Sequence, residues 1–205
     1  MRKNVGAANH LLEPKMLIRF SPGGMRKESE GYRLDPSMAF SMDRLNTIKN
    51  NESGLTGTLG FDYSINKDDK NFDFSVAQII SEKENKKMAS ETSMDEKLSD
   101  LVATSQFTAN DKFSLEYNFA LDENYKDLNY NEIGTNMNFS KLNFDFDYLQ
   151  EKKHIGDQDY FKAKVDFKNS EKGLFSFETK RNLISNSAEF YNLSYEYLND
   201  CLRAG

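Results

Sequence analysis

Apolar and polar residues alternate along most of this chain. In the stretch KFSLEYNFALD, residues 112–122, the odd-numbered positions from Phe113 to Leu121 are apolar or aromatic, and the positions between them are polar or small. Alternation with a period of two is typical of a β-strand whose two faces meet different environments. The pattern recurs often enough to predict about ten strands and no helix. It is found over residues 55–66, 72–77, 133–140, 142–148, 161–168, 175–177 and 191–197, with a less regular segment over 97–108.

The lengths of these segments and of the links between them favour a membrane wall. Several segments alternate over about nine to twelve residues, close to the 9–11 that a tilted strand needs to cross a bilayer and longer than the usual 5–6 of globular sheets. The links are short and long in turn, as in an up-and-down barrel whose two rims differ. The short links are 66–69, 108–111, 140–141, 169–173 and 199–200, and the long ones are 81–96, 122–127, 151–159 and 182–189. The sequence therefore predicts an all-β fold, an antiparallel up-and-down transmembrane β-barrel, rather than a soluble sandwich with Greek-key crossings.

If the apolar face of each strand meets lipid, the polar face lines a water-filled lumen. A Lys or Arg side chain that faces lipid at mid-depth costs about 2–4 kcal/mol, so the charged residues of the strands are expected to point inward. A shift of one residue in the register would turn all of them outward. The predicted lumen wall comprises Asp62, Asp73, Glu116, Asp145, Asp147, Lys162, Lys164 and Lys168.

Composition narrows the classes of function. The formal net charge of -6 and the pI of about 5.1 argue against a nucleic-acid partner, because binding phosphates requires a basic surface. The 16 Phe and 10 Tyr residues, placed at regular positions, argue against disorder.

No run approaches the roughly 20 apolar residues of a spanning helix, and the opening MRKNVGAANHLLEPK lacks the apolar core of a signal peptide. The chain is thus either cytosolic or an internal piece of a longer protein, and because CLRAG begins like a strand and then stops, we expect an incomplete barrel.

Residues that could carry out chemistry are few. His154 lies beside Asp157 and Asp159 in a predicted link. This set could bind a divalent cation, but one His and two carboxylates in a loop fall short of a defined site. The sequence has neither a nucleophile elbow nor a Gly-rich phosphate loop. We therefore predict no enzymatic activity, no catalytic residue, no metal site and no cofactor.

Cys201 is the single cysteine of the chain. A lone cysteine in an exported protein is typical of pairing with a cysteine elsewhere, and the periplasm is an oxidising compartment. The alternation of links puts residues 199–200 at a periplasmic turn, so Cys201 would stand at the periplasmic rim. A buried, unpaired thiol is the alternative.

Several motifs occur in an order that is found in a known family. HLLEPKMLIRFSPGGMRK (10–27) is followed by AFSMDRLNTIKNNESGLTGTLGFDY (39–63). Here Leu12-Glu13-Pro14 leads into a strand, and Phe40 to Leu45 closes a long loop before a Gly-rich strand. This order resembles the barrel of LptD, the lipopolysaccharide-assembly or organic-solvent-tolerance (OstA) family of the Gram-negative outer membrane. MDEKLSDLVATSQFT (94–108) and YEYLNDCLRAG (195–205) are also similar to later strands of alphaproteobacterial members.

The resemblance implies a transport function in the bacterial outer membrane. Family members carry lipopolysaccharide from the periplasm and insert it into the outer leaflet without covalent catalysis. The implied partners are lipopolysaccharide, a plug lipoprotein, outer-membrane lipid, and a periplasmic transport bridge that meets an N-terminal periplasmic domain. Residues 1–205 would then be part of a single β-barrel domain, with 21–53 as a long extracellular loop and with the N-terminal domain and the last strands absent.

The resemblance also bears on Cys201. Family members join late cysteines of the barrel to the periplasmic domain by disulfide, often through an adjacent pair, whereas Cys201 is flanked by Asp200 and Leu202. The implied partner is a cysteine outside this fragment. Two other classes stay open: another outer-membrane barrel, such as a porin or a surface enzyme, and a soluble β-rich binding module.

Overall fold

A computed structural model of the chain describes residues 1–28, 31–45, 49–153, 156–169, 173–199 and 202–204. In this part of the chain, twelve strands form one antiparallel sheet, and their order in the sheet follows their order in the sequence. The strands are β1 (Arg2–Val5), β2 (Ala8–Ser21), β3 (Gly54–Lys67), β4 (Lys70–Ser81), β5 (Leu101–Ala109), β6 (Phe113–Leu121), β7 (Leu128–Asn138), β8 (Leu142–Glu151), β9 (Gln158–Lys168), β10 (Gly173–Asn182), β11 (Ser187–Asn199) and β12 (Leu202–Ala204). The predicted all-β, antiparallel, up-and-down arrangement is confirmed.

Most of the strands are long. β2 and β3 each have 14 residues, and β7 and β9 have 11, which is enough to cross a bilayer at a tilt. The prediction of about ten strands falls short of the twelve that the structure contains. β1 has the sequence RKNV, in which apolar and polar residues do not alternate, so the pattern could not reveal it.

The links fall at two ends of the sheet, which we call the turn end and the loop end. At the turn end, β1, β3, β5 and β7 are followed by the short segments 6–7, 68–69, 110–112 and 139–141. At the loop end, β2, β4, β6 and β8 are followed by the longer segments 22–53, 82–100, 122–127 and 152–157. The prediction of a long link over 182–189 is wrong, because β10 continues to Asn182 and β11 begins at Ser187.

The residue types at the turn end suit tight turns. Asp68 and Asn110 both have φ of 51°, in the left-handed region that Asp and Asn adopt more readily than other non-glycine residues. Gly6, between β1 and β2, has φ of 61°. These residues allow the chain to reverse within a few positions, which keeps adjacent strands paired.

One face of the sheet, which we call the apolar face, carries large hydrophobic side chains that are open to the surroundings. Neighbouring strands bring these side chains together, as where Phe175 lies opposite both Phe167 and Tyr195. A continuous exposed apolar surface of this kind marks contact with a membrane or with another protein. Its exposed members include Met16, Ile18, Phe20, Leu55, Leu59, Phe61, Ile80, Leu142, Phe167, Phe175, Phe177, Tyr191, Leu193, Tyr195 and Tyr197.

The core lies on the opposite face, near the loop end. Two links fold over that face: 22–53, which contains the helix α1 (Pro36–Ala39), and 82–100, which contains a 3-10 helix over Ser90–Thr92. Neither short helix was predicted. The core residues are Met25, Leu34, Ala39 and Leu45 from the first link, Met88 and Met94 from the second, and Ala77, Ile79, Val102, Ala120, Tyr130 and Leu149 from the strands.

The sheet curls around the first of these links. Arg33 of the link reaches Glu151 at the end of β8, and the carbonyl oxygen of Ala39 accepts a hydrogen bond of 2.9 Å from Thr58 of β3. In a flat sheet, β3 and β8 would lie about 24 Å apart, at about 4.8 Å per strand. A compact loop contacts both strands, so the sheet must be strongly curved between them.

The edges of the sheet are β1 and β12, and within the described residues they are not paired with each other. None of the helices in the described ranges has the length and apolar character of a bilayer span.

Candidate functional site

The eight charged residues predicted to line a lumen all lie on the face opposite the apolar face, which we call the polar face. The strand register places them there, because residues that oppose each other in a sheet share a face. Lys168 of β9 is opposite Leu174 and has the same parity as Lys162 and Lys164. The cross-strand pairs on this face include Asp62 with Ser75, Asp73 with Gln106, Gln106 with Glu116, Glu116 with Gly134, Gly134 with Asp147, Asp147 with Lys162 and Asp145 with Lys164. That this face bounds a water-filled lumen stays a prediction.

Three lysines of the polar face, Lys15, Lys162 and Lys164, are paired with carboxylates of the same face. Nζ of Lys162 lies 2.8 Å from Oε1 of Glu178, and Nζ of Lys164 lies 2.9 Å from Oδ2 of Asp166. Lys15 of β2 forms an ion pair with Asp62. The partners Lys15, Asp166 and Glu178 were not predicted, although their parity along β2, β9 and β10 is the same as that of the predicted residues. The wall thus carries both signs of charge in close pairs.

The segment Gly31–Leu45, which we call the strap, crosses the polar face at the loop end. Helix α1 in its middle packs against β4 and β5. Asp35 caps this helix by accepting hydrogen bonds from the backbone N–H groups of Ser37 and Met38, at 2.7 and 2.9 Å. The hydroxyl of Tyr32 donates a hydrogen bond to the carbonyl oxygen of Arg44, so the two ends of the strap lie together. The strap is therefore a compact loop of the Ω type.

A network of buried charges holds one end of the strap. Arg44 donates to both carboxylate oxygens of Glu52, through Nε at 2.8 Å and Nη2 at 2.5 Å, and Nη2 also donates to Oγ1 of Thr56 at 2.9 Å. Nη2 of Arg19, on β2, lies 2.6 Å from Oε1 of the same Glu52. We call Arg19, Arg44, Glu52 and Thr56 the anchor. Arg44 is 1% exposed and Glu52 is 4% exposed, so these charges are out of water and each is paired with an opposite charge. Nη1 of Arg44 and Nε of Arg19 are also buried, and they find no hydrogen-bond partner among the described residues.

A second contact holds the strap on the far side of the polar face. Arg33 donates two hydrogen bonds to Oε2 of Glu151, from Nη2 at 2.6 Å and from Nε at 3.1 Å. Its guanidinium also lies 4.7 Å from the centre of the Tyr130 ring, in cation–π geometry. We call Arg33, Tyr130 and Glu151 the clasp. Glu151 is fully buried, whereas the side chain of Arg33 is 30% exposed.

The environment of the strap shifts the pKa values of two of its residues. Burial, followed by the negative charge of Glu52, raises the pKa of Tyr32, so its hydroxyl stays a hydrogen-bond donor. Burial lowers the pKa of Arg33, but the hydrogen bonds and charge of Glu151 raise it by more, and the net shift is upward. Both shifts favour the protonation states that the contacts require.

Lys153 joins three links at the loop end. Its Nζ lies 3.6 Å from Asp100, 3.9 Å from Glu96 and 3.9 Å from Asp122. Burial raises the pKa of Glu96, although the charge of Lys153 lowers it. The links 82–100, 122–127 and 152–157 are thereby held together beside the strap.

A cavity of about 760 Å³ lies between the strap and the wall. Lys15, Asp62 and Glu116 line it from the strands, and Arg33 and Phe40 line it from the strap. Its volume is within the usual range for ligand pockets. The strap therefore lines the cavity on one side, and the strands line it on the other.

Two residues singled out in the sequence, His154 and Cys201, lie outside the described residues. The structure therefore bears on neither the loop that contains His154 nor the disulfide expected at Cys201. The sequence analysis did not identify the residues of the anchor or the clasp as site residues. Arg19 has the same parity as Lys15 on β2, and Arg44 lies within the Phe40 to Leu45 motif, so both could have been flagged from the sequence.

The fold and its two faces define a class of protein. A single up-and-down antiparallel sheet, apolar on one face and charged on the other, is the wall of an outer-membrane β-barrel protein. Comparison with protein families matches residues 3–198 to LptD, described as LPS transport system D, and the chain belongs to this family. A comparison with curated proteins finds no match.

Membership of this family settles the general role. LptD is a family of outer-membrane transport proteins whose cargo is lipopolysaccharide. The match spans nearly the whole chain, so it favours lipopolysaccharide transport over a porin, a surface enzyme or a soluble binding module.

Proposed function

We propose that this chain forms part of the barrel wall of a translocon that carries lipopolysaccharide from the periplasm and inserts it into the outer leaflet. The observation that carries the proposal is the two-faced sheet. Large side chains of the described strands, among them Phe175 and Leu193, are exposed on the apolar face, whereas Lys162 and Lys164 pair with carboxylates on the polar face. Such a wall meets lipid on one side and a hydrated saccharide on the other.

The paired charges of the polar face suit the passage of a sugar-phosphate headgroup. A transport path must bind its cargo well enough to admit it and weakly enough to release it. On this wall Lys162 and Lys164 are already neutralised by Glu178 and Asp166, so they offer hydrogen bonds without a strong field of one sign. The acyl chains stay in lipid or in an apolar groove. No bond is broken, so the function needs no catalytic residue.

The link 22–53 is proposed to be an extracellular loop. It leaves the sheet at the loop end, and its strap covers the polar face there. In an outer-membrane barrel the longer links lie on the extracellular side and the tight turns on the periplasmic side. The strap would then stand between the cavity and the cell exterior.

The proposed partners extend beyond the residues of this chain. They are lipopolysaccharide, a plug lipoprotein, outer-membrane lipid, and a periplasmic transport bridge that acts through an N-terminal domain outside residues 1–205. We also propose that Cys201 forms a disulfide with a cysteine of that domain, since the periplasm is oxidising.

The test is depletion of this protein in its own cells. Newly made lipopolysaccharide would be pulse-labelled, and its arrival at the surface would be followed by its accessibility to an antibody added outside the cell. We expect surface arrival to fall at least tenfold on depletion and to recover with a plasmid copy, while an unrelated outer-membrane barrel keeps its level. Undiminished arrival of lipopolysaccharide in depleted cells would refute the proposal.

A further inference from the structure

The strap ties two distant parts of the wall together. The anchor fixes it to β2 and β3, and the clasp fixes it to β7 and β8. Its middle is held by the hydrogen bond from Thr58 to Ala39 and by the packing of α1 on β4 and β5. The strap covers the polar face of β2 to β8 at the loop end as long as both attachments hold.

The two attachments differ in strength. In the anchor, Glu52 receives hydrogen bonds on both oxygens from Arg44 and pairs with Arg19, and all three side chains are at most 8% exposed. In the clasp, both hydrogen bonds from Arg33 go to one oxygen of Glu151, and the Arg33 side chain is 30% exposed. Water reaches the Arg33 side chain and can replace its hydrogen bonds when the pair separates, whereas separating a buried pair leaves a charge without compensation. The clasp is therefore the attachment that opens first.

The clasp also borders the cavity, whereas the anchor does not. Arg33 and Tyr130 are both part of the cavity lining. A molecule that fills the cavity would bring its own oxygen atoms next to the Arg33 guanidinium, in competition with Glu151. A cavity of about 760 Å³ is large enough for a drug-sized ligand, which is smaller than the saccharide of lipopolysaccharide. With the strap in place, the cavity beneath it has room for only part of such a saccharide.

We propose that the clasp is the release point of the strap. When part of the saccharide of the cargo enters the cavity, Arg33 separates from Glu151, and the strap swings away from β7 and β8 while the anchor keeps it attached to β2 and β3. Between passages the closed clasp seals the loop end. This inference rests on the proposed function, and it adds the element that moves and the contact that opens.

The first test locks the clasp. Cysteines replace Arg33 and Glu151 in the otherwise native protein, in cells whose wild-type copy can be depleted, and a bifunctional maleimide joins them. We expect cross-linking to lower the arrival of lipopolysaccharide at the surface at least tenfold. The Arg33→Cys and Glu151→Cys single variants, treated with the same reagent, should keep the rate of the untreated protein.

The outcomes separate this inference from the proposed function. If the cross-linked protein delivers lipopolysaccharide at the untreated rate, the strap is a permanent brace and the inference is wrong. If the wild-type protein itself does not restore delivery of lipopolysaccharide after depletion, the proposed function is wrong, and the result does not concern the clasp.

The second test opens the clasp and does not depend on cross-linking. Arg33→Gln removes the charge that pairs with Glu151. The matched variant Arg181→Gln makes the same change at the loop end of β10, where Arg181 donates to Asn186 of the neighbouring turn. We expect Arg33→Gln to raise the entry of vancomycin severalfold, with Arg181→Gln at the wild-type level and both proteins present in normal amounts. Equal entry in the two variants would show that the clasp does not hold the strap closed.

Discussion

Arg44 illustrates how single residues hold the loop end together. It is 1% exposed, and its guanidinium satisfies Glu52 and Thr56 at distances of 2.5 to 2.9 Å. Burying a charge costs several kcal/mol unless it is paired and hydrogen-bonded. The planar guanidinium meets most of this condition, because it donates to two oxygens of one carboxylate and to a third acceptor, while Nη1 finds no partner among the described residues.

Replacing Arg44 by Met should destabilise the protein strongly. The change leaves Glu52 buried with one cationic partner fewer, and losing one partner of a buried pair costs about 3–5 kcal/mol. The measurement is the free energy of unfolding by urea in detergent micelles. Arg181→Met is the control, since the more exposed Arg181 should change the free energy by no more than about 0.5 kcal/mol. Equal effects of the two substitutions would contradict the role given to the anchor.

Apart from Arg44, which lies in the Phe40 to Leu45 motif, individual residues were predictable only where a strand places them. Parity along the strands identifies the eight wall charges, because every second residue of a strand faces the same way. Arg33, Arg44 and Glu52 lie in a link with no period. Arg33 meets Glu151 across a separation of 118 residues, and no local pattern encodes such a contact.

At the level of elements, alternation predicted the strands well and failed where both faces are apolar. The segment over 97–108 looked irregular because Val102 of β5 faces the polar side and Ala103 faces the apolar side, and both are buried. Val102 belongs to the core under the strap, together with Ala120 and Leu149. The polar face is therefore polar along its turn half and apolar beneath the strap, a division that depends on tertiary contacts.

Two adjacent residues of β11 test the assignment of faces. Leu193 is 77% exposed on the apolar face at the middle of β11, and Asn192 lies opposite Glu178 on the polar face. We expect Leu193→Lys to reduce the stability of the folded protein in lipid vesicles by about 2–4 kcal/mol, because the ammonium would enter the hydrocarbon. Asn192→Lys should leave it nearly unchanged, since the new charge faces a carboxylate. Similar costs for the two substitutions would mean that the apolar face does not meet lipid.

At the scale of the whole molecule, the sheet is a curved wall, and the strap covers part of its polar face at the loop end. The order of the strands is the simplest possible, each pairing with its neighbours in sequence, so topology followed from the recognition of strands and links. The strap was not predictable in the same way. Its position depends on Arg33 and Arg44 finding partners on opposite parts of the wall.

The central claim is that the two faces of this wall meet lipid and water. The most direct measurement places spin labels singly at residues 114–119 of β6, in the protein inserted in its membrane with Cys201 replaced by Ser. Collisions with oxygen report contact with lipid, and collisions with a water-soluble nickel chelate report contact with water. We expect labels at 115, 117 and 119 to be accessible to oxygen and not to the nickel chelate, and labels at 114, 116 and 118 to show the reverse. Low accessibility to both reagents at the odd positions would show instead that the apolar face is packed inside protein, and the membrane-wall account would be wrong.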